Sequence, residues 1–262
     1  MIGVFDSGVG GLLSLREARR RLPRADFVYF GDTRNLPYGE RAPWEILCLA
    51  RRATAFLLSM GAEAVLAACG TADSLALPVL REENRVPLFG VLAPLAARVA
   101  AEYRVRGGRV ALLATAATAQ AGEAARALLR AGIPAEATEV LACPAFVTMA
   151  ERGTVKGEAA AERVAAVLAP LQGKDIRTLA LGCTHFSHLA PQIGAAFPSA
   201  CVVDGAREAG AALGQALAGT PAAEGRGTWC AYTSGDPIAF ARAAAGYLGE
   251  PIPTEPLPSR IR

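Results

Sequence analysis

Two cysteines occupy corresponding places in the chain, each directly after a short apolar run. Cys69 follows residues 65–68, and Cys183 follows residues 178–182. In an open parallel sheet, ligands bind beyond the carboxyl ends of the strands, where the next helix begins. The N-terminus of such a helix stabilises a thiolate and holds a carboxylate, because it carries free N–H groups and partial positive charge. The two thiols therefore predict a pair of acid/base groups that face one substrate.

The remaining cysteines lack this loop context, and we interpret them as structural. A single cysteine after a strand is more often a small buried hydrophobic residue than a catalyst, so the hypothesis depends on the matching positions of Cys69 and Cys183. The six cysteines include no Cys-x-x-Cys pair, and the chain has only two histidines. This spacing argues against a metal site and against a thiol redox centre. The four structural cysteines are Cys48, Cys143, Cys201 and Cys230.

Three further ionisable residues are candidates for the same site, and each also has a simpler interpretation. Asp6 follows the apolar run 2–5 and could merely cap the first helix. His185 lies two residues after Cys183; it could supply or orient a proton for that thiol, or make an ordinary polar contact at a helix start. Glu151 follows another apolar run, and a solvated helix end is its default interpretation.

Composition and charge exclude several classes of function. The net charge of +3 over 262 residues is small and evenly spread, so we expect no nucleic-acid partner. The chain has no apolar run of about 18 residues and no leader-like start, and we expect a cytoplasmic protein without a membrane segment. Lys156 and Lys174 are the only lysines, and their loop contexts disfavour a pyridoxal phosphate Schiff base. The turn at residues 8–11 lacks the full dinucleotide-binding spacing.

Short apolar runs alternate with amphipathic segments along the chain, which predicts an α/β fold with parallel sheets. Pro43 in the first turn of a helix and Gly61 after its end mark one helix clearly. The predicted strands are residues 2–5, 27–30, 65–68, 87–91, 109–115 and 178–183, and the helices include residues 13–21, 206–217 and 238–248.

The strands form two series that look alike. Val4 and Leu112 are separated by 108 positions, and Cys69 and Cys183 by 114, which predicts two similar units with small insertions. If the units are related by a pseudo-twofold axis, the two cysteine loops meet face to face. We therefore predict two α/β lobes with the active site between them: residues 1–93 plus 205–262, and an inserted lobe of residues 94–204.

An ordered set of short segments resembles the glutamate racemases of the aspartate/glutamate racemase superfamily. Each segment is weak alone, but together they extend over nearly the whole chain. The segments are residues 2–12, 29–33, 37–39, 68–69, 114–118, 143–151, 181–185 and 233–240.

The resemblance implies a cofactor-independent enzyme that interconverts L- and D-glutamate and supplies D-glutamate for peptidoglycan. In that family, a cysteine thiolate removes the α-proton from one face while a second cysteine returns a proton from the other. The resemblance assigns Cys69, assisted by Asp6, to D-glutamate. It assigns Cys183, assisted by His185 and Glu151, to L-glutamate. It also allows a homodimer. The residues implied to hold the substrate are Ser7, Pro37, Tyr38, Gly39, Gly70, Thr71, Thr115, Thr118 and Thr184.

Two departures from the family pattern lie beside the first thiol. Gly70 stands where the family usually has Asn, and Asp73 where it has Ser. We expect Gly70 to remove an amide that would contact the substrate, a loss of about 1–3 kcal/mol if a buried partner is left unpaired. We expect Asp73 to add a negative charge near the site of a dianionic substrate.

These departures leave alternatives open. One is a racemase for another amino acid or for a hydantoin. Another, from a different class, is a binding or regulatory protein whose site is weak or disabled, since some family members restrain DNA gyrase. Slight basic character disfavours that second alternative.

Overall fold

Ten strands form two parallel sheets within residues 1–255 and 257, which the computed structural model describes. Across the first sheet the strands lie in the order β10 (Thr254–Glu255), β9 (Trp229–Thr233), β2 (Phe27–Gly31), β1 (Ile2–Asp6), β3 (Ala64–Ala67) and β4 (Leu88–Phe89). Across the second they lie in the order β6 (Thr138–Ala142), β5 (Arg109–Ala114), β7 (Ile176–Leu181) and β8 (Cys201–Asp204).

Helices flank both sheets. The α-helices are α1 (Leu12–Arg21), α2 (Pro43–Ser59), α3 (Gly70–Leu75), α4 (Leu77–Glu83), α5 (Leu92–Arg106), α6 (Ala116–Ala121), α7 (Glu123–Arg130), α8 (Pro144–Glu151), α9 (Glu158–Leu168), α10 (Ala190–Ala196), α11 (Gly205–Leu217) and α12 (Pro237–Leu248). Short 3₁₀ helices cover Thr33–Asn35, Tyr38–Glu40, Ala135–Ala137, Ala169–Leu171, Thr184–Leu189 and Pro221–Ala223. The predicted α/β fold with parallel sheets is confirmed.

Local chemistry explains where the predicted elements begin and end. Pro43 lies at the start of α2, and the Glu45 carboxylate accepts the Ala42 N–H at 3.0 Å. Gly61, with φ +91°, follows the end of the helix. The predicted strand 87–91 is wrong in length: β4 has only two residues, because the N–H of Val91 donates to a side chain of α3 and not to the sheet.

The central strands of each sheet are buried on both faces, which is why they read as nearly continuous apolar runs, whereas the edge strand β6 is partly exposed. In β1, Ile2 and Val4 face one core cluster, and Phe5 faces another. Helix α5 packs on the second sheet, whereas α11 returns to the first. The proposed lobe boundaries at residues 93/94 and 204/205 stay a prediction. In the described part of the chain, every helix is too short or too polar to cross a bilayer.

Helices α1 and α11 pack through a glycine. A Cβ atom at Gly210 would lie 2.2 Å from the Ser14 carbonyl oxygen and 2.8 Å from Cβ of Glu17. The hydroxyl of Ser14 donates to the Ala206 carbonyl at 2.7 Å, so the two helices are also joined by a buried hydrogen bond. This contact holds α11 against the core of the first sheet.

Replacing Gly210 by alanine should therefore destabilise the protein by about 1–3 kcal/mol, because the methyl group overpacks the helix contact. Alanine in a helix interior is otherwise favoured over glycine by about 0.8–1.0 kcal/mol. Gly246 in α12 has no neighbouring atom within 4 Å of an added Cβ, so Gly246→Ala is the matched control and should be neutral or stabilising. Urea unfolding measures both changes. Equal effects of the two substitutions would contradict the close packing.

Candidate active site

The turns that carry the two cysteines meet where strands of both sheets end. Cys69 precedes α3, and Cys183 precedes the 3₁₀ helix Thr184–Leu189. A Cβ atom at Gly70 would lie 2.1 Å from the carbonyl oxygen of Gly182. The backbones of the two turns are therefore in direct contact. This contact brings residues from the ends of β3 and β7 into one site.

Cys69 is almost completely enclosed. Its side chain is 6% exposed, and its Sγ lies 3.9 Å from the Ser7 hydroxyl, to which the thiol donates. Burial, and next the Asp6 carboxylate, raise the pKa of Cys69 to about 11, although the N–H groups of Ala72 and Thr71 oppose the shift. The free site therefore holds Cys69 as a neutral thiol near pH 7.

Cys183 lies at one end of a row of polar groups. Its Sγ is 3.7 Å from His185 Nδ1, and His185 Nε2 is 3.7 Å from Glu151 Oε1. Burial, and next the proximity of Cys69, raise the pKa of Cys183. His185 and Glu151, which the sequence placed beside this thiol, lie within reach of it and of each other. The row could carry a proton between the thiol and the surface.

Asp6 joins the two turns. It is fully buried at the end of β1, and its Oδ2 accepts the Gly8 N–H at 3.0 Å. Its Oδ1 accepts the Thr184 hydroxyl at 3.3 Å, across the boundary between the sheets. Its charge contributes to the raised pKa of both Cys69 and Cys183. A group that acts on both thiols is thus already part of the site.

Three buried threonine hydroxyls form a triangle beside the cysteines. Thr71 and Thr115 are 3.1 Å apart, Thr115 donates to Thr118 at 3.0 Å, and Thr118 donates to Thr71 at 3.3 Å. Thr71 belongs to α3, and the other two lie at the start of α6. Thr115 also accepts the Thr118 N–H at 3.3 Å, as the cap of α6. The bonds among the three hydroxyls can be exchanged for bonds to a carboxylate.

The loop after β2 closes another side of the site. A Cβ atom at Gly39 would lie 2.8 Å from Cβ of Thr115, so Gly39 lies directly against the threonine triangle. Pro37 precedes it, after a cis peptide bond to Leu36. The Tyr38 hydroxyl donates to Asp32 Oδ2 at 2.7 Å, so this side chain already has a partner inside the protein.

Asp32 organises this loop, although the sequence analysis gave it no role. It is buried and accepts hydrogen bonds from Tyr38, Asn35 and Ser234. It follows the apolar strand β2 directly, as Cys69 follows β3. The same position at a strand end was therefore the signal that could have identified it.

The Asp73 carboxylate, expected to add charge near the substrate, is bonded to backbone inside the protein. Its Oδ2 accepts the N–H groups of Val91 and Leu92, each at 2.6 Å, and the residue is 7% exposed. Burial raises the pKa of Asp73, and the two N–H donors oppose that shift. The carboxylate binds the start of α5, so it is not directed at a substrate.

A second group missed by the sequence analysis surrounds the segment after Cys183. The ring of His188 lies against the ring of Tyr247 from α12, with 3.9 Å between their centroids. The Ser187 hydroxyl donates to Asp204 Oδ1 at 2.9 Å. Burial, and next the neighbouring His185, lower the pKa of His188 to about 4. These contacts fix the segment that carries His185.

A cavity of about 1020 Å³ opens beside the Cys183 end of the site. Glu151 and His185 line one side of it, and Arg16, Lys156 and Arg207 contribute positive charge. The described residues contain no group of three His, Cys, Asp or Glu side chains arranged to hold a metal ion. What the geometry offers is acid/base chemistry by thiols in an enclosed site with room for an anion nearby.

Residues 16–213 match the model of the Asp/Glu/Hydantoin racemase family. The chain belongs to this family. The chain is 43% identical over 249 residues to the glutamate racemase of Gloeobacter violaceus, covering 95% of this chain and 92% of that protein. It is 40% identical over 253 residues to a glutamate racemase of Thermus thermophilus, covering 96% and 93%.

Solved structures give the same result for the racemase fold. A glutamate racemase from Bacillus anthracis superposes with a TM-score of 0.89 at 29% identity, over 100% of this chain and 98% of that one. The Thermus thermophilus enzyme, solved in complex with beta-chloro-D-alanine, gives 0.85 at 37% identity, again over 100% and 98%. The predicted family resemblance and enzyme class, an amino-acid racemase, are confirmed. The individual roles of the site residues stay predictions.

The buried imidazole of His188 makes stability depend on pH. An unfolded histidine binds a proton below about pH 6.5, whereas His188 in the folded protein stays neutral down to about pH 4. The free energy of unfolding therefore has its full contribution from neutral His188 above about pH 6.5, and it loses this contribution as the pH falls from there toward 4.

His188→Phe should therefore reduce the fall in melting temperature between about pH 7.5 and about pH 4.5, because phenylalanine keeps the ring contact with Tyr247 without binding a proton. Calorimetry of both proteins at the two pH values measures this difference. Parallel falls in the two proteins would contradict the buried neutral state of His188.

Proposed function

We propose that this protein is a cofactor-independent glutamate racemase that uses Cys69 and Cys183 as its two acid/base groups. The observation that carries the proposal is the contact of the two cysteine turns around the buried Asp6 carboxylate. The names of its relatives support glutamate as the substrate, since proteins 40–43% identical over almost the whole chain are glutamate racemases.

The chemistry needs one thiolate and one thiol at a time. For L-glutamate, the Cys183 thiolate takes the α-proton and becomes a thiol. The Cys69 thiol then gives its proton to the opposite face of the α-carbon and becomes a thiolate. D-Glutamate reacts by the reverse sequence. A prochiral carbanion between two thiols therefore changes its configuration without any other reagent.

The surrounding residues have separate roles in this proposal. Asp6 and Ser7 orient the Cys69 thiol, while His185 and Glu151 orient Cys183 and move protons to and from it. The hydroxyls of Thr71, Thr115, Thr118 and Thr184 bind the two carboxylates of glutamate. Backbone groups of the segment from Pro37 to Gly39, and of Gly70, complete the enclosure. Exclusion of water by these residues strengthens every charge interaction with the developing carbanion.

The cellular role follows from the product. We propose that the enzyme supplies D-glutamate for peptidoglycan and acts in the cytoplasm, where thiols remain reduced. All six cysteines are free in the structure, which fits a reducing compartment. A homodimer is a further expectation, to be checked by light scattering of the purified protein.

Replacing either Cys69 or Cys183 by serine should lower racemization in both directions by at least about 100-fold, because each direction requires both groups in turn. Incubation with L-glutamate in heavy water, followed by optical rotation and loss of the α-proton signal, measures both racemization and exchange. Cys48 is exposed, so Cys48→Ser is the matched control and should keep full activity. Full turnover by either active-site variant would refute the two-thiol mechanism.

The raised pKa of both thiols predicts how activity depends on pH. In the free enzyme, kcat/KM reports the ionisation of essential groups. For D-glutamate the required Cys69 thiolate is a minority form at neutral pH, because the pKa of Cys69 is raised to about 11. Between about pH 6.5 and about pH 8.5, kcat/KM for D-glutamate should rise by about tenfold per pH unit. A flat profile in this range would mean that the thiolate is already formed.

A panel of amino acids and hydantoins tests the choice of substrate. Glutamate should give the highest kcat/KM, because the hydroxyls and the enclosed geometry suit a short dicarboxylate. Preference for a hydantoin or for an amino acid with an apolar side chain would assign the same two-thiol site to a different substrate.

A further inference from the structure

We propose that Gly70 acts as the closing contact of the active site, where its bare Cα atom rests on the Gly182 carbonyl and sets the distance between the cysteine turns. The importance of that distance for catalysis rests on the function proposed above. The contact itself does not, and it can be tested independently.

The contact leaves no space for a side chain. A Cβ atom at Gly70 would lie 2.1 Å from the Gly182 oxygen and 3.3 Å from its carbonyl carbon. Both of these atoms belong to backbone, so no side-chain rotation relieves the clash. Any residue other than glycine at position 70 must move one turn away from the other. The site does not hold an empty place for an amide side chain, which corrects the simple expectation of a lost substrate contact.

Two other glycines close the same boundary. A Cβ atom at Gly10 would lie 2.6 Å from Cβ of Thr184, and one at Gly39 would lie 2.8 Å from Cβ of Thr115. In each case a glycine near a strand end of the first sheet meets a residue that follows a strand of the second. Gly70 differs from these two because the atom nearest to its added Cβ belongs to backbone, at 2.1 Å, and backbone is the less adaptable partner. It is therefore the contact most sensitive to an added atom.

The position of Gly70 is fixed from behind by Asp73. Both residues lie on the short helix α3, and the Asp73 carboxylate accepts the N–H groups of Val91 and Leu92 at the start of α5. A Cβ atom at Gly90 would lie 2.4 Å from Asp73 Oδ2, so this capping also requires glycine at position 90. Helix α5 packs on the second sheet. Asp73 and Gly70 thus act together. Asp73 binds α3 to the start of α5, and Gly70 places backbone without a side chain against the turn that contains Gly182.

Because Cys69 is buried, contact between the two cysteine turns also limits how a substrate can reach it. Cys69 is 6% exposed, and the threonine hydroxyls that would bind carboxylates bond to each other. A substrate that reaches Cys69 between the two turns must therefore separate them. In the described structure Cys69 is buried beside this contact, whereas Cys183 is partly exposed.

Gly70→Ala should hold the turns apart. The Gly70 backbone does not have a positive φ, and alanine is favoured over glycine in a helix, so α3 itself tolerates the methyl group. The buried Cys69 thiol should then react with iodoacetamide at least about tenfold faster than in the wild type, because local opening governs the reactivity of buried groups. Peptide mass spectrometry measures each site, with the exposed Cys48 as an internal reference. Gly246→Ala is the matched control and should leave all the rates unchanged.

The possible results separate this proposal from the proposed function. Faster labelling of Cys69 relative to Cys48 supports the closing contact, even if the wild type fails to racemize glutamate. Unchanged labelling overturns it. A large fall in melting temperature, with all cysteines labelled faster, also overturns it, since Gly70 would then be required for folding and not for closure. Gly70→Asn provides the second test: higher kcat/KM with wild-type labelling would show that position 70 lacks a binding group, contrary to the proposal.

Discussion

The site depends on a carboxylate that is buried where two sheets meet. Asp6 is removed from water and bonded to donors from both sides, Gly8 in its own turn and Thr184 in the other. A buried charge is tolerated only when such donors are present. The same charge lies near both thiols and raises the pKa of each. The free enzyme is thus arranged with one negative charge at its centre and disfavours a second.

In the proposed two-thiol mechanism, this arrangement gives a physical reason why the thiolate forms when substrate is bound. A thiolate beside Asp6 requires a compensating positive charge, because like charges in an enclosed site raise the pKa of the second group. An amino acid brings an ammonium group, which would offset that repulsion once it is bound. The base is therefore favoured when the substrate is present, and a reactive thiolate is disfavoured in the empty site.

Much of the fold and part of the site could be predicted from the sequence, because those features depend on local order. Apolar runs buried on both faces mark the strands, and a polar residue directly after such a run marks the edge where ligands bind, as at Asp6, Cys69 and Cys183. The same position, directly after an apolar strand, identifies Asp32. The sequence also led to the racemase family, which the comparisons confirm.

What could not be predicted depends on contacts between distant segments. The sequence did not show that the Asp73 carboxylate binds backbone N–H groups at the start of α5. The loss expected at Gly70 ignored the carbonyl of Gly182, which occupies the space. The ring contact of His188 with Tyr247 joins α12 to the segment after Cys183 and has no sequence pattern. Residue type predicted chemistry here, but only the packing shows which atoms are available for it.

The two thiols have unequal surroundings, and this difference has a consequence for proton exchange. Cys69 is enclosed and bonded to Ser7, whereas Cys183 leads through His185 to Glu151, whose side chain is 32% exposed and lines the adjoining cavity. A proton on Cys183 therefore has a chain of polar groups toward water that a proton on Cys69 lacks. In the proposed mechanism, each face of the α-carbon meets one thiol. The protons of these two thiols would exchange with solvent at different rates. The repeated strand-end geometry places the two thiols. The neighbours that differ between them, Ser7 beside Cys69 and His185 beside Cys183, determine how each thiol exchanges its proton with water.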